Sequence, residues 1–111
     1  MKYIIKESQI DRIVFKYLDN QDFIPLDIDS RDRVYFVNSD DDEYCQIRYD
    51  KLDGWCYINS ILIQEISSFF SLEKFDSTQV IGRWVENKLG MEVTRVPPGL
   101  SKSNSLLKIP N

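Results

Sequence analysis

The chain has no histidine among its 111 residues. This absence excludes Ser-His and Cys-His nucleophile systems and every histidine-ligated metal site. The sequence also has no glycine-rich phosphate loop, and it contains only four glycines. Acid-base chemistry would have to use carboxylates, Tyr or Lys, and no motif places such a pair. We therefore expect a protein that is not an enzyme, without catalytic residues, a metal site or a cofactor.

Long apolar runs are also missing, since none approaches the roughly 20 residues that span a bilayer. The opening MKYIIKESQ becomes charged too early for a secretory signal peptide. The two cysteines, Cys45 and Cys56, lie four residues apart along a predicted ribbon, beyond the roughly 7 Å that a disulfide allows between Cα atoms. We expect a soluble, cytoplasmic protein that does not bind membranes and keeps both thiols reduced.

The charge balance is acidic, with 18 Asp and Glu against 14 Lys and Arg, a formal net charge of −4. An overall basic footprint, typical of nucleic-acid binders, is therefore missing. The length fits one domain, and 42% hydrophobic residues argue against disorder for most of it. We predict a single domain over residues 1–96 and a Pro/Ser-rich tail over 97–111, weakly held or used for docking, because Pro97-Pro98-Gly99 interrupts regular structure.

The stretch from Tyr44 to Phe70 predicts a β-hairpin followed by a helix. Asp53-Gly54 between two apolar runs is a strong hairpin signal, because Gly tolerates the positive φ of a tight turn. A loop over 51–54 places Tyr49 opposite Cys56. One face of the ribbon is then a core face, formed by Cys45, Ile47, Tyr49, Cys56 and Ile58.

The complete pattern predicts an α+β fold. It has an N-terminal helix over 9–20, a three-stranded antiparallel meander over 34–59 and a C-terminal pair of helices over 60–70 and 77–89. Residues 23–33 are predicted to be an irregular connection, and short segments around Tyr3 and Val93 could add edge strands at both ends. Asn59 or Ser60 should cap the second helix, Asp76 with Gln79 the third, and Gly90 should end the third. Gly82 within the third helix indicates close approach by another element.

Two acidic clusters are candidate cation sites. Asp40 to Glu43 form one, and Asp27, Asp29 and Asp32 form the other. Both lack the alternating carboxylate spacing, central Gly and distal Glu of a calcium loop. The first cluster is better interpreted as the solvated tip of a hairpin, and the second in the same way.

The second face of the ribbon is the candidate partner-binding surface. It presents Trp55, Tyr57 and Arg48, with Arg48 opposite Tyr57 and placed to lie over its ring. Aromatic residues interleaved with Arg on an open sheet face are typical of recognition surfaces. The alternative is that the first helix covers this face. The leading hypothesis is a non-enzymatic protein-interaction module that acts by surface complementarity, with another protein as its partner.

A DNA-binding module is the alternative function. The helices over 60–70 and 77–89 resemble a helix-turn-helix, whose second helix would present Thr78, Gln79, Arg83 and Asn87. The predicted link over 71–75 is longer than the usual three- to four-residue turn, and the protein is acidic. Nucleic acid is therefore the less favoured partner.

The opening MKYIIKESQ and the stretch RYDKLDGWCYINSILIQEISSFFSLEKFDSTQVIGRWVENKLGMEV are similar to small uncharacterised accessory proteins of large tailed phages. This resemblance spans most of residues 1–96 and rests on hydrophobic patterning, not on a chemical signature. It implies a viral accessory or structural protein, found in the host cytoplasm or in the virion, that binds a host or viral protein. A homo-oligomer is compatible with it, and it assigns no functional residues.

Overall fold

The computed structural model of the protein describes residues 2–28, 32–39, 42–97 and 105–109. Along these ranges, three α-helices and four β-strands follow one another. They are α1 (Lys2–Asp19), β1 (Ile24–Ile28), β2 (Arg33–Val37), β3 (Ile47–Asp50), β4 (Trp55–Ile58), α2 (Ser60–Phe70) and α3 (Lys74–Leu89), and a 3-10 turn spans Ser105–Leu107. Within these ranges no helix combines the length and the apolar character needed to cross a membrane.

The strands form one antiparallel sheet in the order β1-β2-β3-β4. The α+β architecture is confirmed, but the sheet has four strands where the sequence predicted three. The additional strand is β1, within the segment predicted to be irregular. Its Pro25 lies on the edge of the sheet, where a missing N–H need not remove a ladder bond.

The hairpin formed by β3 and β4 has the predicted register. Tyr49 pairs with Cys56 and Ile47 with Ile58, on either side of a turn at residues 51–54. Gly54 adopts the positive φ of 76° that this turn requires. The hairpin prediction is therefore confirmed at the level of individual residue pairs.

Helix α1 begins earlier than predicted. Residues Lys2 to Ile5 belong to the helix and not to an edge strand, and Ser8 lies within it and not at its cap. Neither Gly nor Pro occurs between Lys2 and Asp19, so no residue in this range breaks the helix. The predicted start at Gln9 was wrong for this reason.

Helices α2 and α3 agree with the predicted pair, with one correction at their junction. The Asn59 side chain accepts a hydrogen bond of 2.8 Å from the Ile61 amide, so the predicted cap of α2 is confirmed. Helix α3 begins at Lys74 after Glu73, so the predicted cap at Asp76 was wrong. Ser71 takes a left-handed conformation with φ 54° and ends α2 sharply, which leaves a link of three residues, 71–73.

The three helices cover one face of the sheet, called here the first face. Trp84 of α3 packs with its ring centroid 5.3 Å from Phe36 of β2 and 5.9 Å from Phe23. The buried residues of this core are Val14, Leu18, Val34, Phe36, Ile47, Tyr49, Cys56, Ile58, Leu62, Ile63, Ile66, Val80, Ile81, Trp84 and Val85.

Cys45 does not belong to this core, contrary to the prediction. The amide of Gln46 donates to the Phe36 carbonyl oxygen at 2.8 Å, while Ile47 is the register partner of the same Phe36. Gln46 and Ile47 thus both lie opposite Phe36, as in a β-bulge. The extra residue moves the residues that precede it to the other face of the sheet. Cys45 therefore lies on the second face, and Cys56 remains on the first.

The segment after α3 forms a single bridge where a final strand was predicted. Arg95 bridges Trp55 in a parallel sense, and the Arg95 carbonyl accepts from the Cys56 amide at 2.9 Å. The next bond of a parallel ladder would need the N–H of residue 97, which is a proline. The segment also packs on α3 at Gly82, where a Cβ would meet Val96 Cγ2 at 3.0 Å, which confirms the predicted close approach.

Gly54 and Gly90 provide a matched test of this packing, because both have left-handed φ values. An added Cβ at Gly54 would lie 3.0 Å from the Glu92 carbonyl oxygen, whereas at Gly90 nothing lies within 4 Å. We expect Gly90→Ala to lower the free energy of unfolding by about 1 kcal/mol and Gly54→Ala by roughly 2–4 kcal/mol. Chemical denaturation of both variants measures this difference, and equal losses would contradict the close approach of residues 92–94.

Asp19 joins the end of α1 to α3. One of its carboxylate oxygens accepts from Trp84 Nε1 at 3.0 Å and lies 2.7 Å from Lys88 Nζ. The hydrogen bond from Lys88, followed by that from Trp84, lowers the pKa of Asp19. The group is half exposed, so solvent screening reduces the energy of this ion pair.

Asp19→Asn should destabilise the protein by about 0.5–1 kcal/mol near neutral pH. Because the folded-state pKa of Asp19 lies below its ordinary value of 3.8, its contribution is complete above that value and is lost as the pH falls through the folded-state pKa. The difference between wild type and variant should therefore vanish in acid. Urea denaturation over a pH series measures it, and a constant difference would show that charge is not involved.

Candidate functional site

The second face of the sheet contains a row of three residues in register. Tyr35 of β2 pairs with Arg48 of β3, and Arg48 pairs with Tyr57 of β4. The Arg48 guanidinium lies 5.0 Å from the centroid of the Tyr57 ring, as the sequence predicted. Arg48 thus occupies the middle of an aromatic row and not the rim of the sheet.

Arg48 is buried, with 6% of the residue exposed. Two hydrogen bonds of 2.7 and 2.8 Å join its Nε and Nη2 to the two carboxylate oxygens of Asp50. Burial lowers the pKa of Arg48, but the hydrogen bonds and charge of Asp50 outweigh this effect and the net pKa is raised. The guanidinium therefore stays charged and keeps a fixed orientation.

Residues 105–109, called here the tail segment, cover this row. The Leu107 side chain is 0% exposed and packs with Tyr35, Val37 and Cys45. Arg48 Nη1 donates to the Leu106 carbonyl oxygen at 2.9 Å. The tail segment is therefore held both by an apolar anchor and by a charged donor.

Main-chain hydrogen bonds hold the same segment beside residues 43–45, which lead into β3. The Cys45 amide donates to the Leu107 carbonyl at 2.9 Å, and the Ile109 amide donates to the Glu43 carbonyl at 2.9 Å. Tyr44 and Lys108 form the antiparallel bridge between these two bonds. The tail segment is thus bound as a 3-10 turn over Ser105–Leu107, followed by a single antiparallel bridge at Lys108.

This arrangement differs from both alternatives that the sequence suggested for this face. Arg48 is not on an open surface, and it is the tail segment, not α1, that covers it. Trp55 and Tyr57 remain half-buried beside the tail segment, with their ring centroids 6.2 Å apart. The Arg95 guanidinium lies 5.1 Å from the Trp55 ring centroid. Of the three predicted partner-binding residues, only Trp55 and Tyr57 are accessible from solvent.

The four residues predicted to contact DNA do not form one exposed face. Thr78 is 7% exposed, and its hydroxyl donates to the Phe75 carbonyl oxygen at 2.6 Å. Arg83 donates two hydrogen bonds of 2.8 Å to Asp11 of α1. Gln79 is half-buried and Asn87 is exposed. The three-residue link suits a helix-turn-helix better than predicted, and Gln79, Arg83 and Asn87 lie one turn apart on α3. Thr78, however, is buried and Arg83 is bonded to Asp11.

In the two acidic clusters, the described residues Asp42 and Asp27 act in a turn and in an ion pair. One Asp42 oxygen accepts from the amides of Asn38 and Ser39 at 3.0 Å each, and Asp27 pairs with Lys51 at 2.8 Å. Asp29, Asp40 and Asp41 lie outside the described residues. Among the described positions no group of three or more Cys, Asp or Glu side chains is arranged to hold a metal ion.

A cavity of about 640 Å³ lies between α2 and α3, away from the tail segment. Its walls include Ile63, Phe75 and Val96, and Lys74 is the ionisable residue among those that line it. Lys74 alone does not supply the pair of groups, one acid and one base, that acid-base catalysis in this cavity would use.

No protein-family model, curated protein or solved structure matches this chain. The geometry of the second face is therefore the basis for any functional assignment.

A docking role was one of the two predictions for the tail, but neither the anchoring residue nor the surface it contacts was predicted. Leu107 is the anchor and Leu106 supplies the carbonyl that Arg48 binds. The available signal was the apolar group Leu106, Leu107 and Ile109 within an otherwise polar tail. A short apolar group in a polar segment indicates a docking contact, but it does not identify the surface it contacts.

Leu107→Ala should make the Cys45 thiol reactive while Cys56 stays protected. Burial raises the pKa of Cys45 to about 12, and loss of the Leu107 side chain admits water to this side of the sheet. We expect alkylation of Cys45 to accelerate about tenfold or more as its pKa falls toward the ordinary value. Peptide mass spectrometry after iodoacetamide treatment separates the two thiols.

Cys56 is the internal control, because it lies on the first face beneath the helices and its pKa is also raised by burial. Global unfolding would expose both thiols together. Equal acceleration of alkylation at Cys45 and Cys56, or no change at Cys45, would contradict the prediction. It would show that the tail segment does not shield Cys45 independently of the main core.

Proposed function

We propose that this chain is a non-enzymatic protein-interaction module whose second face binds a short peptide segment of a partner protein. The observation that supports this proposal is the fully buried Leu107 held beside Arg48, which donates to a main-chain carbonyl of the same segment. The tail segment occupies this surface within the same chain. A partner segment would use the same contacts.

The chemistry of the contact supports recognition of a short peptide that turns at its anchor and then pairs with the main chain. Main-chain hydrogen bonds to Cys45 and Glu43 are independent of the side chains of the bound segment, as in strand addition to a sheet. The site of Leu107 adds selectivity for a branched apolar residue, and Arg48 fixes the register through a carbonyl. Affinity and selectivity thus have separate sources in this site.

The tail segment should compete with any partner. A tethered segment acts at an effective concentration on the order of millimolar, so a partner segment must bind more tightly or make further contacts. Trp55 and Tyr57, half-buried beside the tail segment, are the residues we assign to such contacts. A host or viral protein as partner, and the phage origin implied by the resemblance, remain predictions.

A synthetic peptide with the sequence of residues 101–109 tests this function on the full chain. The wild type should bind it weakly, because its own Leu107 occupies the site. The Leu107→Ala chain should bind the peptide at least about tenfold more tightly, because its tail has lost the anchor. Fluorescence anisotropy of the labelled peptide measures both affinities.

A peptide with Ala in place of the anchoring leucine is the matched control and should bind neither chain. Trp55→Ala and Tyr57→Ala, introduced into the Leu107→Ala chain, should each weaken peptide binding if these residues extend the surface. Equal affinity of wild type and Leu107→Ala for the leucine peptide would refute the proposed recognition of a partner segment at this site.

A further inference from the structure

Helices α1 and α2 leave apolar side chains on the surface, away from the tail segment. Ile13 is 56% exposed and Phe69 is 66% exposed, and Ile10 is 39% exposed. Tyr17 joins the two helices, because its ring centroid lies 5.0 Å from that of Phe69. These four residues are called here the α1–α2 patch.

Of the patch, Tyr17 packs against the core, whereas Ile10, Ile13 and Phe69 do not belong to it. At 100° per residue, Val14 and Leu18 form the face of α1 that is buried against the sheet, and Ile13 lies off that face. Phe70 fills the interior side of the aromatic group, with its centroid 5.5 Å from that of Tyr17 in an edge-on arrangement. Phe69 thus presents its ring to solvent from a well-supported position, as residues in binding surfaces do.

Charges of opposite sign border the patch on its two helices. Arg12 and Lys16, one turn apart, lie beside Ile13 on the side of α1 away from Val14 and Leu18. On α2, Glu65 lies one turn before Phe69 and on the same side. All three charged residues are exposed, and none forms an ion pair with another described residue.

Glu65 belongs to the same surface as the aromatic residues. Burial, and then the charge of Glu65, raise the pKa of Tyr17, which places this carboxylate near the ring that joins the two helices. The patch therefore has an apolar centre with a basic border on α1 and an acidic border on α2.

We propose that the α1–α2 patch binds a second copy of this chain in a two-fold symmetric dimer. In such a dimer the same surface is used by both subunits, so α1 of one faces α2 of the other. Arg12 and Lys16 of each subunit then face Glu65 of its partner, and Ile13 packs against Phe69.

The two-sided charge pattern is the reason for choosing a second copy as the occupant. A surface with one basic and one acidic border is complementary to itself after a two-fold rotation. The basic border of each subunit then faces the acidic border of the other, which gives two attractive contacts in the dimer. A partner of a single charge would meet repulsion at one border. This dimer does not involve the second face, so it is independent of the proposed peptide recognition.

Sedimentation equilibrium of the full chain over a wide concentration series tests the dimer. We expect the wild type to show a mass of two chains at high concentration, and Phe69→Asp to weaken dimerisation at least tenfold. Phe75→Asp is the matched control, because Phe75 is 70% exposed but lies on α3 outside the patch. It should leave the dimerisation constant unchanged.

A charge exchange tests the arrangement of the two subunits. Lys16→Glu and Glu65→Lys should each weaken dimerisation several-fold by placing like charges opposite each other. The double variant restores opposite charges across the interface and should recover most of the wild-type affinity. Circular dichroism melting of each variant checks that these exposed substitutions leave the fold intact.

A wild type that remains monomeric at the highest concentration would overturn the proposal and leave the patch to a different protein. A dimer that Phe69→Asp and Phe75→Asp weaken equally, or that neither weakens, would also overturn it. A dimer sensitive to Phe69→Asp but not restored by the charge exchange would overturn the two-fold arrangement described above.

Discussion

Both faces of the central sheet carry large apolar side chains, and the chain must cover both to remove them from water. Three helices cover the first face. On the second face, among the described residues, the tail segment packs over the row of Tyr35, Arg48 and Tyr57, with Leu26 and Tyr44 beside it. This cover buries the Arg48 guanidinium, whose donors must then find partners within the protein. They bind the Asp50 carboxylate on one side and the Leu106 carbonyl oxygen on the other.

Elements defined by local backbone chemistry were predictable from the sequence. The turn at Asp53-Gly54 fixed the register of β3 and β4, Asn59 capped α2, and Gly90 ended α3 in a left-handed conformation. Strand β1 was missed, because its Pro25 and Asp27 are unfavourable in strands and only the pairing with β2 makes it one. Tertiary contact determined that strand, and local propensity did not.

The candidate site was predictable in part, for a similar reason. The pairing of Arg48 with Tyr57 followed from the turn, but its burial depends on Leu106, 58 positions along the chain. The bulge at Gln46 and Ile47 moved Cys45 to the second face. No residue in that stretch has the positive φ or the glycine that would mark a bulge in the sequence. The predicted site therefore differs from the observed one for two reasons. One is the contact between segments distant in the sequence, and the other is the extra residue of the bulge.

The edges of the two outer strands, β1 and β4, affect how copies of this protein associate. Open strand edges normally offer unpaired amide and carbonyl groups to neighbouring molecules, which leads to fibres. Here Pro25 removes one donor from β1, and on β4 the Gly54 carbonyl and the Cys56 amide are already bonded to residues 94 and 95. Pro97 then prevents that short pairing from growing into a ladder. Open-ended polymerisation through the sheet edges is thereby disfavoured. Association between copies is left to side-chain surfaces, which can form a closed oligomer with a fixed number of subunits.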